Sequence, residues 1–547
     1  MSKVGRDAAT SSVTGNDTSN DQGVDESRAA RPAGLSRRQI LAGGASAALL
    51  GLTGAMGARA QYSGIMEDGG GVPFRLPMGA LNYLDRNEYI SNMEIISYLE
   101  GPQLSSGEPL MTMWANGKQR MLASGNGWLD ISDPRKPKNI DLGKRMRGTV
   151  SFQESTKKWI FMETHGEPLT GAGPGHPHGR WHEEVYRAAV SYAGLRGVST
   201  HDVTDPGNPK LLGEFSTGKT GSGTHHNFYD GGRYAYLDAG WSDQFRMENP
   251  QRASGNGLMI VDMSDPANLK EVSRYHVPGQ LLGEEDEYKK YWFAGDRAAW
   301  TSSHGAPSVP VRVEDGGKLG YGGFGHFGML TFDLSDISNP KPISQLMWDY
   351  ESIGGIPYHT VFPIVDAAGK FTNILIGVPE AIEPDCREPF KAVQVINVSD
   401  PRKPEIIGLF RRPSPPEDAP YNDFCLSRGR FGTHNSQAFI APGASKPHIV
   451  ATTHFNAGIR ITDISDPTKP REVAWFLPPR GGEILDYDSW RRGDAESVFI
   501  EWDRNLIWFG THAGNYCLSC PALGEPVLSA RKVERWTVPH GNRGWDA

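Results

Sequence analysis

The sequence predicts an all-β protein folded as a seven-bladed β-propeller, and three observations predict it. An apolar run ending in Ser/Thr-Asp-Pro-x-x-Pro recurs six times, as in LDISDPRKP and ITDISDPTKP. Each copy joins strand-like alternation to an Asp-Pro turn and a further strand, which is typical of the third and fourth strands of one sheet. A degenerate seventh unit, AESVFIEWDRNLIWFGTHAGNYCLSCPAL, follows the sixth copy. Repeats of this kind indicate blades. The aspartates of the six copies are Asp133, Asp205, Asp265, Asp336, Asp400 and Asp466.

Each unit contains a first strand, a glycine-containing turn, a second strand, a loop and then the Asp-Pro phrase. Two copies depart from the pattern, since Ile337 replaces the first proline of the fourth and Leu269 the second proline of the third. The aspartates lie 60 to 72 residues apart, more than the ~40–50 residues of compact blades, so the extra length is expected in loops. A spare strand, MEIISYLEG, precedes the first unit. We expect it to complete the last blade and close the ring.

The phrase and its flanking strands resemble the LVIVD-repeat β-propeller proteins, a secreted bacterial group, with six recognisable copies between about residues 120 and 480. This resemblance implies the fold. It does not imply a reaction, because propellers include enzymes, receptors and scaffolds.

The first sixty residues resemble a twin-arginine export signal. A polar stretch precedes Ser36-Arg37-Arg38-Gln39-Ile40-Leu41, an Ala/Gly/Leu run follows, and Ala58-Arg59-Ala60 provides a small-residue cleavage site. The apolar run is too short and too glycine-rich to be a transmembrane anchor. We therefore expect residues 1–60 to be cleaved, 61–105 to form a lead-in and 106–547 to form one propeller, located in the periplasm or secreted. This route exports folded proteins, often with a cofactor already bound.

Composition excludes several classes of function. A net charge of −8 gives no basic surface for nucleic acid. The sequence has no Gly-x-Ser-x-Gly elbow, phosphate loop, His-Glu-x-x-His helix or dinucleotide fingerprint.

Four cysteines are present. Cys386 and Cys425 fall in neighbouring inserts and are candidates for a disulfide, whereas Cys517 and Cys520 form either a small disulfide loop or a pair of soft metal ligands.

Eight of the sixteen histidines occupy two repeated places in the blades. One set opens first strands and the other closes second strands, and these places lie at the same end of an antiparallel sheet. All eight are therefore expected on one face, with the first set directed toward the propeller axis. The first set is His225, His304, His359 and His434, and the second is His165, His326, His454 and His512.

Converging imidazoles predict a transition-metal site, with iron or copper favoured and zinc as an alternative. The competing interpretation is structural, in which the imidazoles hydrogen-bond neighbouring blades across the channel. A four-histidine ring on a propeller axis is similar in geometry to the iron centre of carotenoid-cleaving oxygenases, but no motif of that family is present. Glu496 opens the first strand of the seventh unit, where a carboxylate would bind metal, orient an imidazole or accept a proton.

Long inserts lie on the histidine face, which is typical of a binding surface in a repeat protein. Their tryptophans favour a small apolar or aromatic substrate. The sequence thus predicts an exported metal-dependent oxidoreductase. The alternatives are a metal-dependent hydrolase or lyase using Glu496 as base, and a non-catalytic binding propeller.

Overall fold

The computed structural model describes most of the chain beyond its first 76 residues. The described residues are 77–101, 112–115, 119–124, 127–143, 146–166, 192–242, 244–245, 256–287, 303–347, 356–366, 370–382, 384–437, 446, 448–481 and 493–529. The export signal predicted at residues 1–60 and most of the insert at 167–191 lie outside them. Within the described part, no helix is long and apolar enough to cross a membrane.

The described residues form seven four-stranded antiparallel sheets, and the predicted seven-bladed propeller is confirmed. Five sheets are continuous in sequence. Blade 1 contains β3 (Thr112–Ala115), β4 (Arg120–Ser124), β5 (Gly127–Asp130) and β6 (Lys138–Ile140). Blade 2 contains β7 (Gly148–Gln153), β8 (Lys158–His165), β9 (Gly197–Asp202) and β10 (Lys210–Ser216). Blade 3 contains β11 (Gly223–Thr224), β12 (Tyr234–Gly240), β13 (Gly257–Asp262) and β14 (Lys270–Tyr275). Blade 4 contains β15 (Gly305–Ser308), β16 (Leu319–Gly323), β17 (Met329–Asp333) and β18 (Lys341–Leu346). Blade 5 contains β19 (Ile356–Val365), β20 (Phe371–Glu380), β21 (Gln394–Asn397) and β22 (Glu405–Leu409).

The last two blades recruit strands from the start of the chain. Blade 6 contains β23 (Ile449–Thr453), β24 (Ile459–Asp463) and β25 (Arg471–Leu477), and β1 (Tyr89–Ser91) pairs with β25. Blade 7 contains β26 (Ala495–Glu501), β27 (Leu506–Thr511) and β28 (Gly514–Ser519), and β2 (Glu94–Glu100) pairs with β28 as its outer strand. Since β2 precedes blade 1 in the chain, this pairing ties the last blade to the start of the propeller. Short 3₁₀ helices lie at Val313–Asp315, Gly325–Phe327 and Phe424–Leu426.

The Asp-Pro phrase forms the turn between the third and fourth strands in blades 1 to 5, and the turn between β24 and β25 in blade 6. In the sixth copy, the Asp466 carboxylate accepts the Thr468 amide at 3.0 Å and its carbonyl accepts the Lys469 amide at 2.9 Å. The other five phrase aspartates make the same pair of contacts. This Asx turn explains why a short acceptor side chain recurs at that position.

The phrase also joins neighbouring blades. Ser344 of β18 donates to the carbonyl of Pro401 at 2.7 Å, and Ser97 of β2 donates to that of Pro134 at 2.6 Å. At Gly408 of β22, an added Cβ would lie only 2.2 Å from the Pro467 carbonyl oxygen. The turn of one blade therefore packs against the outer strand of the preceding blade, and a small residue is needed there.

Hydrophobic side chains fill the spaces between blades. One buried cluster spans blades 6, 7, 1 and 2, and smaller ones join blades 2 and 3, 3 and 4, 4 and 5, and 5 and 6. First strands of neighbouring blades contact each other, as β3 contacts β7 and β15 contacts β19. This arrangement places the first strands around the axis, where the predicted histidines begin.

Candidate metal centre

The first-strand histidines of blades 3 to 6 lie at the start of the innermost segment of each blade. His225 follows β11, His304 precedes β15, and His359 lies within β19. His434 begins the innermost segment of blade 6, where its amide donates to the Thr453 carbonyl of β23 at 3.0 Å. In each of these four blades, the histidine therefore lies at the same end of the innermost segment.

These four imidazoles come together, and His226 joins them. The ring centroids are 4.7 Å apart for His225 and His304, 4.6 Å for His304 and His359, and 5.1 Å for His359 and His434. The His226 ring lies 5.1 Å from that of His359. All are buried except His225, which is intermediate in exposure. The side chains form a cluster whose more accessible end is His225.

Glu380, the last residue of β20, directs its carboxylate at this cluster. Its Oε2 lies 3.5 Å from the Nε2 atoms of both His304 and His359, and its Oε1 lies 3.7 Å from Nε2 of His434. Arg430 donates to Oε1 at 3.0 Å. A buried carboxylate is thereby faced by three imidazole nitrogens and one guanidinium.

The spacing of these donor atoms suits a metal ion. A tetrahedral ion with bonds of ~2.0–2.1 Å holds adjacent ligand atoms about 3.3–3.4 Å apart. The nitrogen–oxygen distances of 3.5–3.7 Å are close to that spacing and longer than a normal hydrogen bond. His304, His359 and Glu380 form one group whose ligand atoms all lie within 4.8 Å of one another, and His225, His226 and His304 form another.

Hydrogen bonds orient two of the rings. His359 Nδ1 contacts the hydroxyl of Thr360, and His434 Nδ1 lies 2.8 Å from Oε2 of Glu496. In both rings the Nε2 atom is then the one that faces Glu380. Carboxylate or hydroxyl partners of this kind fix the orientation of metal-binding histidines.

Glu496, the predicted catalytic residue, bridges two of the predicted ligands. Its Oε1 lies 2.6 Å from Nε2 of His512, and its other oxygen contacts His434. Burial alone raises the pKa of Glu496, but the attraction of His512 and His434 and their hydrogen bonds outweigh it and hold the pKa below its ordinary value. His512 is a quarter exposed. Glu496 is therefore placed to orient His434 rather than to enter either group of ligand atoms.

Two other ionised groups act on the same region. Burial lowers the pKa of Arg430, while Glu380, Glu496 and Asp494 raise it above its ordinary value. Burial raises the pKa of Asp494 to about 6, against the opposing charge of Arg480. The region thus holds Arg430 as a permanent cation beside the Glu380 carboxylate.

The remaining predicted ligands lie elsewhere. His165 contacts Ser199 at 2.7 Å, and Ser199 in turn contacts His201 at 2.9 Å. His326 is buried in the 3₁₀ helix of blade 4. His454 contacts Thr452 at 3.2 Å. Among the described residues, neither ligand group includes His165, His326, His454 or His512.

The cysteines divide into a disulfide and two buried thiols. Cys386 and Cys425 are bonded, as their placement in neighbouring inserts predicts. Cys517 and Cys520 are buried free thiols, so the small disulfide loop considered for them does not form. Burial raises the pKa of both thiols. Neither joins the two ligand groups found in the described part of the chain.

Sequence reasoning missed three residues of the cluster. His226 neighbours a predicted ligand, and Glu380 closes a second strand at the place where histidines close it in four other blades. The blade alignment therefore contained a signal for both. Arg430 lies in an insert and follows no repeated pattern.

Similarity to known proteins agrees with this architecture. The molecule is a seven-bladed β-propeller. The model of the LVIVD repeat matches residues 253–277 and 453–477, so the chain carries LVIVD repeats, as predicted. A search of the curated proteins gives no match.

Solved propellers resemble the chain only distantly. The β-propeller domain of Cps50 (Swd1) from Myceliophteria thermophila is 10% identical, with a TM-score of 0.42, over 78% of this chain and 99% of that one. Sqt1 from Saccharomyces cerevisiae is 9% identical, with a TM-score of 0.38, over 77% and 84%. Raptor from Chaetomium thermophilum is 8% identical, with a TM-score of 0.42, over 81% of this chain and 29% of that one.

Proposed function

We propose that the protein is a metal-dependent oxidoreductase whose metal ion is bound by His304, His359 and Glu380, with His434 as a further ligand. The observation that carries this proposal is the buried Glu380 carboxylate with three imidazole Nε2 atoms at 3.5–3.7 Å. Arg430 pairs with Oε1 of this carboxylate. A divalent cation bound by Oε2 would add a second positive partner in a buried site, where attraction between opposite charges is strong.

Iron is the metal that this donor set favours. His304, His359 and Glu380 supply the two histidines and one carboxylate that are typical of non-haem iron oxygenases, whereas blue-copper sites include a cysteine ligand. Cys517 and Cys520, the candidate soft ligands, are in neither ligand group. The same nitrogen and oxygen donors also bind zinc in hydrolases, so the bound metal separates oxidoreductase from hydrolase.

Access to the ion would come from the side of His225, the least buried ring of the cluster. The substrate is proposed to be a small molecule, because the other four rings are buried. Export through the twin-arginine route at Arg37 and Arg38 remains part of the proposal. It would let the metal be inserted in the cytoplasm, before the folded protein leaves.

The test is metal analysis of the full chain purified without chelators. We expect stoichiometric iron, and loss of that iron in His359→Ala and in Glu380→Gln while circular dichroism shows the fold intact. Nitric oxide added to the reduced protein should give the EPR signal of an iron nitrosyl complex, since an oxygenase keeps a coordination position open for a diatomic ligand.

His276→Ala is the matched control, because His276 pairs with Glu284 at 2.9 Å outside both ligand groups. It should keep the full iron content. Stoichiometric zinc in place of iron would support the hydrolase alternative. A chain that is purified without metal, and that binds none when iron, copper or zinc is added, would overturn both and leave the non-catalytic binding propeller.

A further inference from the structure

The histidine cluster contains more ligand atoms than one metal ion uses. Five imidazoles and the Glu380 carboxylate converge. All of them except His434 belong to two groups of three ligand atoms that share one member, His304. A single catalytic ion typically takes about three protein ligands and keeps a position open. The proposed ion accounts for Glu380, His304, His359 and His434, which leaves two adjacent histidines unexplained.

Those two histidines come from blade 3, whereas Glu380 comes from blade 5. The rings of His225 and His226 are 4.4 Å apart, and that of His225 is 4.7 Å from the ring of His304. Both positions are fixed by the backbone, since the His225 amide donates to the Asp238 carbonyl at 3.0 Å and the His226 carbonyl accepts the Ala306 amide at 2.9 Å. The three ligand atoms of this group lie within 4.8 Å of one another.

We infer that the cluster is a dinuclear centre, in which His225, His226 and His304 bind a second divalent ion. This inference rests on the proposed metal site at Glu380. An imidazole has two ring nitrogens, so His304 can bind one ion through each after its ring proton is released to solvent.

The two positions differ in chemistry. The Glu380 position includes a carboxylate and is buried, which favours iron. The outer position, formed by His225, His226 and the shared His304 imidazolate, has nitrogen donors only, which suit copper and zinc, and His225 leaves it partly accessible. Substrate would therefore meet the outer ion first, and the outer ion would exchange more readily.

Counting bound ions tests the inference. The full chain is stripped with a chelator, titrated with Zn²⁺, separated from free metal and analysed. We expect two equivalents in the wild type. One equivalent should remain in the His225→Ala/His226→Ala variant, and one in the His359→Ala/Glu380→Gln variant, where the outer position persists.

Two controls exclude other sources of bound zinc. Cys517→Ser/Cys520→Ser removes the buried thiols and should keep two equivalents. A variant with His176, His178 and His182 replaced by alanine removes the histidines of the 167–191 insert and should also keep two. Thermal unfolding followed by circular dichroism checks that each variant is folded before its metal is counted.

The outcomes separate this inference from the proposed function. One equivalent in the wild type, or loss of all zinc in the folded His225→Ala/His226→Ala variant, would show a single centre and overturn the inference alone. Two equivalents in that variant would place the second ion elsewhere and overturn it too. A wild type that binds none would overturn the proposed metal site itself.

Discussion

Glu501 and Glu380 are both buried carboxylates, 0% and 4% exposed, but their surroundings differ. Arg504 donates to both oxygens of Glu501 at 2.8 Å, Trp508 donates at 3.0 Å, and Arg120 pairs with it as well. Burial raises the pKa of Glu501, but the charges of Arg504 and Arg120 outweigh it and lower the pKa. Every acceptor of this carboxylate is used at hydrogen-bond distance.

Glu380 accepts from Arg430 at 3.0 Å and faces three imidazole nitrogens at the longer spacing of metal ligands. The Glu501 carboxylate is enclosed by hydrogen-bond donors, whereas the Glu380 carboxylate has the spacing on which the proposed metal site depends. Glu501 lies in blade 7 and Arg120 in blade 1, so the ion pair of the Glu501 carboxylate with Arg120 links the last blade to the first. The Glu380 carboxylate lies where a cation would be the strongest partner for neutral imidazoles and a negative charge.

Glu501→Gln is expected to have the largest effect on folding. It leaves the buried Arg120 and Arg504 without their shared carboxylate, and breaking such a network costs about 3–5 kcal/mol in the free energy of unfolding. Glu380→Gln should cost less in metal-free protein, because Glu496 and Asp494 still stabilise Arg430. Guanidinium unfolding of the metal-free variants measures both.

Added iron should distinguish the two variants by the change in their unfolding temperatures. Added iron should raise the unfolding temperature of the wild type and of Glu501→Gln, since a ligand that binds only the native state stabilises it. Glu380→Gln should show a smaller rise, because it loses the ion proposed at Glu380. If the two glutamine variants lost equal stability and responded equally to iron, the distinction between the two carboxylates would be wrong.

Glu496→Gln is expected to have an intermediate effect, which is a loss of affinity for metal. A glutamine keeps a hydrogen bond to only one of His434 and His512 in its present orientation, so His434 should be less firmly oriented. Loss of a carboxylate that orients a metal-binding histidine typically lowers metal affinity about 10–100-fold. Competition with a chelator gives the affinity.

The structural explanation of Glu496 makes a different prediction. If Glu496 only stabilises the fold, Glu496→Gln would lower the unfolding temperature of metal-free protein and leave the affinity for iron unchanged. His512→Gln is the matched control, because it removes the other partner of Glu496 and leaves His434 in place. Its affinity for iron should stay within a few-fold of the wild type.

The fold could be predicted because the Asp-Pro phrase recurs along the chain. The residues of the site could be predicted only at positions that the blade alignment covers. Asp-Pro phrases fix strands three and four by local turn chemistry, so the blades could be counted from sequence. The same alignment placed His304, His359 and His434 together. Glu380 fills a histidine position with another residue type, and Arg430 arrives from an insert through a contact 50 residues away in sequence. Such contacts depend on packing that no local pattern encodes.

His454→Gln is expected to have the smallest effect, on the pH dependence of stability. It tests a difference between two buried histidines, His454 and His434. Unlike His434, which has Glu496 as partner, His454 contacts a hydroxyl and is fully buried, and burial together with the charge of Arg460 holds its pKa well below 6.5. Below pH 6.5 the unfolded chain therefore takes up a proton that the native state refuses, and stability falls as the pH falls. The free energy of unfolding then changes by about 1.4 kcal/mol per pH unit for one group.

Denaturant unfolding of metal-free protein at pH 7.5, 6.5 and 5.5 should show a shallower decline in His454→Gln than in the wild type by about this amount. Parallel curves would mean that His454 takes up its proton equally in the native and unfolded states, and the contrast between the two histidines would then fail.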